Sequence, residues 1–490
     1  MRQRIWVKLA TLILIMQGLW SCTKDATAIN TLFGTSLSKQ TVDAFIDKKM
    51  ESLDMPGLSI AIINEGRVVY HNVKGYANKE KQQLVDSLSI FEGASISKPV
   101  FGHFVMTLVE DGLLDLDRPL YKYLPNHSIA HDERYRKITA RMALSHRTGF
   151  PNWRDDYPTK ELFIQFEPGS EYHYSGEGYQ YLAEVVRQIL NTNWAGVEAE
   201  FQKRIAIPFK MQHTKFILDA YLRRNKVQPY DQNGRWIDKS ANAWWASRDS
   251  VFVAPTTLHS EALDFSKWMV AIMDQKGLSS EGYEELFKSH SDISSGLLEQ
   301  DYTLGFVKLS VLNLADLYTH SGNNDGFSTY FALDKDKKWG FVFFTNASRV
   351  GEAFAQQLTY KLLLSGTNNK VIAIVLAFVS GLLLVLINLY LLLFRSRPAA
   401  SGFRKTNLYI GFLCSSYVLA LILLMLSLSY EMVKYLYPLG LFLLLCALGI
   451  SFNQMKKYRE TQDDKKFNLI IQKALLIGVL ISGLIAGFVE

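Results

Sequence analysis

Four long apolar runs near the C-terminus constrain this chain more than any other feature. Residues 371–394, 409–428 and 435–452 contain no charged side chain, and residues 469–489 contain only Lys473. A helix of about 20 apolar residues is long enough to cross the hydrocarbon core of a bilayer. The sequence therefore predicts a domain with four transmembrane helices over residues 366–490.

The basic residues around these runs predict how the helices cross the membrane. Loops 395–408 and 453–468 carry an excess of Lys and Arg, whereas residues 429–434 carry one acidic and one basic side chain. Loops rich in Lys and Arg stay in the cytoplasm. The segment before residue 371 should therefore lie outside the cytoplasm. The net charge of +6 belongs largely to these flanks, so we expect no nucleic-acid partner.

The first 22 residues have the pattern of a signal peptide. A basic start with Arg2, Arg4 and Lys8 precedes an apolar run over residues 9–19, which is short for a membrane span. The run ends in Leu19-Trp20-Ser21-Cys22, which resembles a bacterial lipobox and predicts lipidation at Cys22. Ordinary signal cleavage and an uncleaved anchor remain the alternatives.

Both ends of the chain thus predict the same location. We expect a multi-pass protein of the bacterial cell membrane, in contact with membrane lipid, whose globular domain faces the extracytoplasmic, periplasmic side. A linker over residues 23–39 would lead into this domain, which we place at residues 40–365. The helix bundle could also pack against another membrane protein.

The pattern within residues 40–365 predicts an α+β fold. Apolar runs at 58–63 and 68–70 flank a turn containing Gly66, and a second such pair lies at 329–333 and 339–345. The stretches between them have helical spacing, as in residues 100–109 and 181–190. We expect an antiparallel sheet that includes both ends of the domain and is covered by helices. The region from 23 to 370 contains no cysteine, so it folds without disulfides or Cys-bound metal.

The motif Ser95-Ile96-Ser97-Lys98 precedes the first of these predicted helices. Residues i and i+3 share a helix face, so the lysine amine can reach the serine hydroxyl and activate it as a base. A second match, Ser36-Leu37-Ser38-Lys39, lies in a polar stretch with no convincing apolar helix behind it. We interpret Ser36 as part of the linker.

Two further motifs follow along the chain. Tyr174-Ser175-Gly176 contains a phenol that can relay a proton, although most of the 24 tyrosines should be packing residues. His320-Ser321-Gly322 contains a glycine that lets a ligand approach the strand closely. His320 could equally be an ordinary loop histidine.

The order of the three motifs resembles that of the penicillin-recognising serine hydrolases, and most closely of class C β-lactamases, their D-alanyl-D-alanine carboxypeptidase relatives and related esterases. Similar stretches include Met55-Pro56-Gly57 and residues 144–151. The resemblance covers about residues 40–365. It implies a β-lactamase/transpeptidase-like α+β fold, in which an antiparallel sheet flanked by helices stands beside an all-helical subdomain.

The resemblance also implies the roles of individual residues. Ser95 would be the acylated nucleophile, Lys98 its base, and Tyr174 a general base or acid. His320, Gly322 and Asn323 would bind substrate and help to form the oxyanion hole, together with the backbone N–H of Ser95. The family needs no metal and no cofactor, and we expect none here.

Two departures from the family pattern bear on the substrate. Gly176 stands where an asparagine is common, and His320 stands where a lysine is common. Both departures favour an esterase or a peptidase acting on D-amino-acid peptides over an efficient β-lactamase. We therefore expect a small-molecule, peptide or cell-wall-derived substrate. The alternative is a non-catalytic module that senses a cell-wall fragment or β-lactam and is coupled to the membrane bundle.

Overall fold

The computed structural model describes residues 28–32, 36–241, 251–294, 298–311 and 315–364. No helix in these ranges is long and apolar enough to cross a bilayer. Cys22 and the four predicted spans lie outside the described residues. The chain divides into two units after Leu363.

The described residues contain nine α-helices and thirteen strands. The helices are α1 (Lys39–Ser52), α2 (Ser97–Glu110), α3 (Ala140–Leu144), α4 (Gly176–Ile189), α5 (Trp194–Phe201), α6 (Ala220–Asn225), α7 (Ala262–Met273), α8 (Ser280–Phe287) and α9 (Val350–Leu364). The strands are β1 (Ile29–Asn30), β2 (Ser36–Leu37), β3 (Gly57–Asn64), β4 (Arg67–Asn78), β5 (Gln83–Leu84), β6 (Phe91–Glu92), β7 (His259–Ser260), β8 (Ser291–Ser294), β9 (Leu298–Tyr302), β10 (Val307–Val311), β11 (Ala315–Asn324), β12 (Phe327–Asp334) and β13 (Trp339–Thr345).

Nine of these strands form one antiparallel sheet in the order β5-β4-β3-β13-β12-β11-β10-β9-β8. The two predicted hairpins, β3–β4 and β12–β13, are confirmed. Strand β13 pairs antiparallel with β3, with Gly340 opposite Ile63. The prediction that strands from both ends of the domain meet in one sheet is therefore also confirmed.

Both faces of the sheet are covered, as the alternation of aromatic residues along β13 illustrates. The ring of Phe343 lies 4.8 Å from that of Phe354 in α9, whereas the next residue, Phe344, points to the opposite face and lies 5.8 Å from Phe265 of α7. Since successive side chains of a strand point to opposite faces, β13 can be wholly buried only between two layers of helix.

The second Ser-x-x-Lys match lies in a strand and a helix, and not in the linker that we expected. Ser36 lies in β2, and its hydroxyl donates to Asn30 Oδ1 at 2.8 Å. Ser38 caps α1 by accepting from the Thr41 N–H at 3.1 Å. Lys39 is the exposed first residue of that helix. Ser36 and Lys39 therefore do not share a helix face.

Helix α2, which begins just after Ser95, is pressed closely against the segment before β10. A Cβ added at Gly102 would lie 2.4 Å from the Leu304 carbonyl oxygen, which is closer than van der Waals contact allows. Glycine is therefore needed here by the approach of another backbone segment, although it costs helix propensity.

This contact reverses the usual effect of an alanine substitution. Gly→Ala inside a helix ordinarily stabilises a protein by about 0.5–1 kcal/mol. We expect Gly102→Ala to lower the free energy of unfolding by about 1–3 kcal/mol, because the added methyl group overpacks the site. Urea unfolding followed by tryptophan fluorescence measures this change, and an unchanged or raised stability would contradict the packing argument.

Candidate active site

Ser95 and Lys98 lie side by side where a 3₁₀ turn leads into α2. Ser95 is partly exposed in the turn Ala94–Ile96, and Lys98 is buried in the first turn of the helix. The Nζ of Lys98 lies 3.0 Å from Ser95 Oγ and donates to the Pro255 carbonyl at 3.1 Å. The predicted pair is thus within hydrogen-bonding distance.

The backbone just before Ser95 is strained. Ala94 has a φ of +50°, a left-handed conformation that costs a residue with a Cβ roughly 1–2 kcal/mol. Neighbouring groups hold the turn in place. Gly93 donates to the Leu258 carbonyl at 2.6 Å, and the Gly93 carbonyl accepts from the Thr329 hydroxyl at 2.7 Å. Such strain persists where the surroundings determine it, which is common at functional sites.

Aromatic rings enclose Lys98, and burial favours the neutral form of its amine. The ammonium position is 4.5 Å from the centre of the Tyr174 ring and 5.7 Å from that of Tyr179. Burial lowers the pKa of Lys98 well below its ordinary value, because a charge loses its hydration there. A neutral amine next to a serine hydroxyl can accept the hydroxyl proton.

Tyr174 stands over the same pair and is held by a buried histidine. The His146 ring lies 4.2 Å from that of Tyr174, and His146 Nδ1 accepts from the Ser175 N–H at 3.0 Å. Ser175 caps α4. Burial raises the pKa of the Tyr174 phenol, although a hydrogen bond with the Ser95 side chain acts in the opposite direction. Tyr174 is therefore a neutral phenol at physiological pH, able to donate a proton.

His320 lies beside this group, and protein partners occupy both its ring nitrogens. Nδ1 is 2.6 Å from the Ser321 carbonyl, which requires a proton on Nδ1, so Nε2 accepts from the Tyr302 hydroxyl at 3.0 Å. Burial lowers the pKa of His320 to about 3. A neutral ring held on both sides is poorly suited to bind an anion. Its contact with substrate stays a prediction.

The other two predicted residues lie on the same strand, β11. A Cβ on Gly322 would lie 2.5 Å from the Gly93 carbonyl and 2.9 Å from the Ser95 backbone nitrogen. Only glycine therefore lets β11 approach the serine turn this closely. Asn323 follows and lines a cavity that Ser95, Lys98 and Tyr174 also line.

Seven other residues of this cavity were missed by the sequence reasoning. They are Asn152, Trp153, Thr256, Asn324, Asp325, Ser348 and Arg349. The family-like stretch that we recognised stops at Pro151, one residue before the first two. Arg349 lies before α9, far from any of the three motifs. A polar or aromatic residue in a loop carries no local pattern that would have identified it.

The indole of Trp153 occupies the space beside Gly176. A Cβ added at Gly176 would lie 2.7 Å from two carbons of this ring. An ion pair holds the two segments together, because Arg154 contacts the Glu177 carboxylate through Nε at 3.0 Å and through a terminal guanidinium nitrogen at 2.6 Å. The glycine in the second motif is thus matched to a tryptophan 23 positions earlier.

A buried ion pair network lies next to the cavity. The Glu92 carboxylate contacts Lys239 at 2.7 Å and Lys226 at 3.0 Å, and accepts from Asn324 Nδ2 at 2.7 Å. Burial alone would raise the pKa of Glu92, but the two lysines outweigh it and keep that pKa below its ordinary value.

Among the described residues, His213, Glu261 and Asp264 bring possible metal-ligand atoms within 4.8 Å of one another. Their carboxylates already have structural roles. Glu261 caps α7 by accepting from the backbone of Leu263 and Asp264. Asp264 accepts from the His213 N–H and from the Thr214 hydroxyl. These bonds account for the cluster without an ion.

Comparison with known proteins identifies relatives of the globular region. Residues 42–365 match the family model described as Beta-lactamase. Protein flp of Staphylococcus aureus (strain MW2) is 22% identical over 333 residues, which cover 64% of this chain and 64% of that protein. Penicillin-binding protein 4* of Bacillus subtilis (strain 168) is 22% identical over 308 residues, which cover 57% of this chain and 66% of that protein. The matched regions therefore span slightly less than two thirds of these relatives.

Solved structures share the fold. An octameric penicillin-binding protein homologue from Pyrococcus abyssi superposes with a TM-score of 0.57 at 22% identity, over 67% of this chain and 79% of that chain. D-alanine carboxypeptidase AmpC from Burkholderia cenocepacia gives a TM-score of 0.54 at 19% identity, over 66% and 97%. The predicted α+β fold, a large antiparallel sheet with helices, is confirmed for the described region.

The contact between Trp153 and Gly176 predicts a coupled pair of substitutions. Gly176→Ala should lower the free energy of unfolding by about 1–3 kcal/mol, because the methyl group meets the indole. In a Trp153→Leu background the same substitution should cost at least about 1 kcal/mol less, since the clash is gone. A double-mutant cycle by urea unfolding measures this difference, and additive effects would show that the two residues do not compete for space.

The burial of Lys98 predicts a gain in stability when the amine is removed. An unfolded lysine is protonated at pH 7, so folding must release or bury that proton at a cost in free energy. Lys98→Met should raise the free energy of unfolding by about 1 kcal/mol. Lys122→Met, on the surface, is the control and should change little. A clear loss of stability in Lys98→Met alone would mean that the amine stabilises the fold.

Proposed function

Because the chain belongs to the β-lactamase family of serine hydrolases, we propose that it is a hydrolase acting through a covalent acyl-enzyme at Ser95. The observation that carries this proposal is the 3.0 Å separation of Lys98 Nζ from Ser95 Oγ in a site where the amine is buried. A serine hydroxyl needs such a base to become a nucleophile.

The proposed acylation uses three side chains. The neutral amine of Lys98 takes the Ser95 proton while Ser95 Oγ bonds to the substrate carbonyl carbon. Tyr174, a neutral phenol, donates its proton to the leaving group as the bond to that group breaks, and recovers a proton from the Lys98 ammonium. Water then attacks the acyl-enzyme with the same groups acting in reverse, and Ser95 regains its proton.

Backbone N–H groups are the proposed partners of the developing oxyanion. Those of Ser95 and Asn323 belong to the serine turn and to β11, which Gly322 brings together. Donors fixed in advance stabilise a charge that forms in the transition state, and they need no rearrangement.

The proposed substrate is an ester, a D-amino-acid peptide or a β-lactam-like amide. Arg349 lines the cavity, so a carboxylate on the substrate would meet this guanidinium more readily than the neutral ring of His320. The likeness to a D-alanine carboxypeptidase supports the peptide class.

We further propose that this hydrolase is attached to the bacterial membrane and faces outward. The support is the sequence alone, namely the four apolar runs with their basic flanks and the signal-like start. Substrates derived from the cell wall would be present on that side.

Labelling with a fluorophosphonate tests for an activated serine in the detergent-solubilised full chain. We expect labelling of the wild type, loss of labelling in Ser95→Ala, and a decrease of at least about 100-fold in the labelling rate of Lys98→Ala, since a positioned base contributes that much. In-gel fluorescence over time gives the rates.

Ser36→Ala is the matched control, because it removes the serine of the other Ser-x-x-Lys match and should leave the rate unchanged. Absence of labelling in well-folded wild type, tested also with a series of activated esters, would contradict the proposal. It would favour the reading as a non-catalytic sensor.

A further inference from the structure

The Glu92 carboxylate joins the segment before Ser95 to the end of β11. Glu92 is the last residue of β6, in the stretch Glu92-Gly93-Ala94-Ser95, and only 4% of its surface is exposed. Its Oε2 accepts from Asn324 Nδ2 at 2.7 Å. Asn324 is the last residue of β11 and directly follows Asn323. One hydrogen bond therefore links the two segments that carry the proposed oxyanion donors, the backbone N–H groups of Ser95 and Asn323.

The end of β11 needs such a link. The pairing of β11 with β10 stops at Thr319, whereas its pairing with β12 continues to Asn324. Beyond Thr319, β10 no longer contributes ladder hydrogen bonds to this edge, so the backbone groups there are available to a ligand but less firmly held. Asn323 and Asn324 both line the cavity. Side-chain contacts must therefore keep this end of the strand in place, and Glu92 provides one from the side of the serine turn.

Two lysines fix the carboxylate itself. Lys239 Nζ lies 2.7 Å from each Glu92 oxygen, and Lys226 Nζ lies 3.0 Å from Oε1. Although burial opposes ionisation, these cations keep the pKa of Glu92 below its ordinary value, so the group is a carboxylate at neutral pH. Lys239 also lies 5.0 Å from the ring centre of Phe327, the first residue of β12. A charged acceptor makes shorter and stronger hydrogen bonds than a neutral one, so the bond from Asn324 is a firm one.

We propose that Glu92 is a positioning residue, which sets the distance between the two oxyanion donors through its bond to Asn324. The inference rests on the proposed acyl-enzyme function of Ser95. Glu92 is not among the described residues that line the cavity, so its effect on the reaction passes through β11 and the serine turn. A misplacement of about 1 Å can cost about 100-fold in rate, so a group that contacts no substrate can still contribute to catalysis.

A pair of ester substrates measures how well an oxyanion fits these donors. The probes are p-nitrophenyl acetate and its thiono analogue, in which sulfur replaces the carbonyl oxygen. Sulfur is larger and accepts hydrogen bonds more weakly, so correctly placed donors favour the oxygen ester. The measured quantity is the ratio of kcat/KM for the oxygen ester to that for the thiono ester.

We expect this ratio to fall about tenfold in both Asn324→Asp and Asn324→Leu, because neither side chain can donate to Glu92 and the donors lose their fit. One substitution adds a charge to the cavity and the other removes polarity, so a decrease shared by both reports the lost bond. Thermal midpoints establish that each variant is folded.

Gln202→Leu is the matched control. Gln202 also donates to a carboxylate, that of Glu198, at 2.8 Å, but both residues lie outside the cavity lining. The substitution therefore removes the same kind of bond elsewhere in the fold, and its ratio should equal that of wild type.

The double variant Glu92→Gln/Asn324→Asp restores the bond with donor and acceptor exchanged. The glutamine amide donates to the new carboxylate, and the negative charge stays within the network. We expect its ratio to recover to within about threefold of wild type, since the two substitutions compensate each other.

Two results would overturn the inference. One is a ratio unchanged within about twofold in either folded Asn324 variant, because a purely structural role lowers both rates together. The other is a ratio that stays low in the folded double variant. Ester turnover that is lost in Ser95→Ala shows that the proposed hydrolase function survives either result. Failure of folded wild type to turn over either ester through Ser95 would overturn the proposed function, and this inference with it.

Discussion

The burial of one amine beside one hydroxyl is the constraint on which the site depends. Only 1% of the surface of Lys98 is exposed. Its amine reaches Ser95 because α2 starts directly after the serine turn. That turn requires the strained backbone of Ala94 and the approach of β11 at Gly322. The nine-stranded sheet and the helices of the described region thus supply the rigid frame that a buried lysine with a lowered pKa needs.

The groups around Lys98 are uncharged for a common reason. Burial lowers the pKa of His146 as well as that of His320, and it raises the pKa of Tyr174. A cation or anion in this cluster would lose hydration without a compensating partner. The compensated charges lie to one side, in the network of Glu92 with Lys226 and Lys239.

Local patterns in the sequence identified the elements, whereas contacts between distant segments required the structure. Alternation and turn residues predicted both hairpins, and the spacing of Ser95 and Lys98 predicted their pairing on one helix. The Asn152–Trp153 segment could not be found in this way. Its place at the cavity depends on the packing of Trp153 against Gly176, which lies 23 positions later. His320 was recognised by its motif, but its bond to Tyr302 depends on how β9 and β11 are placed. The four predicted spans and Cys22 lie outside the described residues and stay predictions.

The pairing of Trp153 with Gly176 changes how the second motif is interpreted. Taken alone, a glycine at position 176 is the loss of a side chain that could contact substrate. In the structure the missing volume is filled by an indole, and a carboxamide from the preceding residue reaches the same cavity. The Arg154–Glu177 ion pair holds residues 152–154 against the start of α4. The indole and the carboxamide are therefore positioned together. A change at position 153 or 176 must therefore be compensated at the other position.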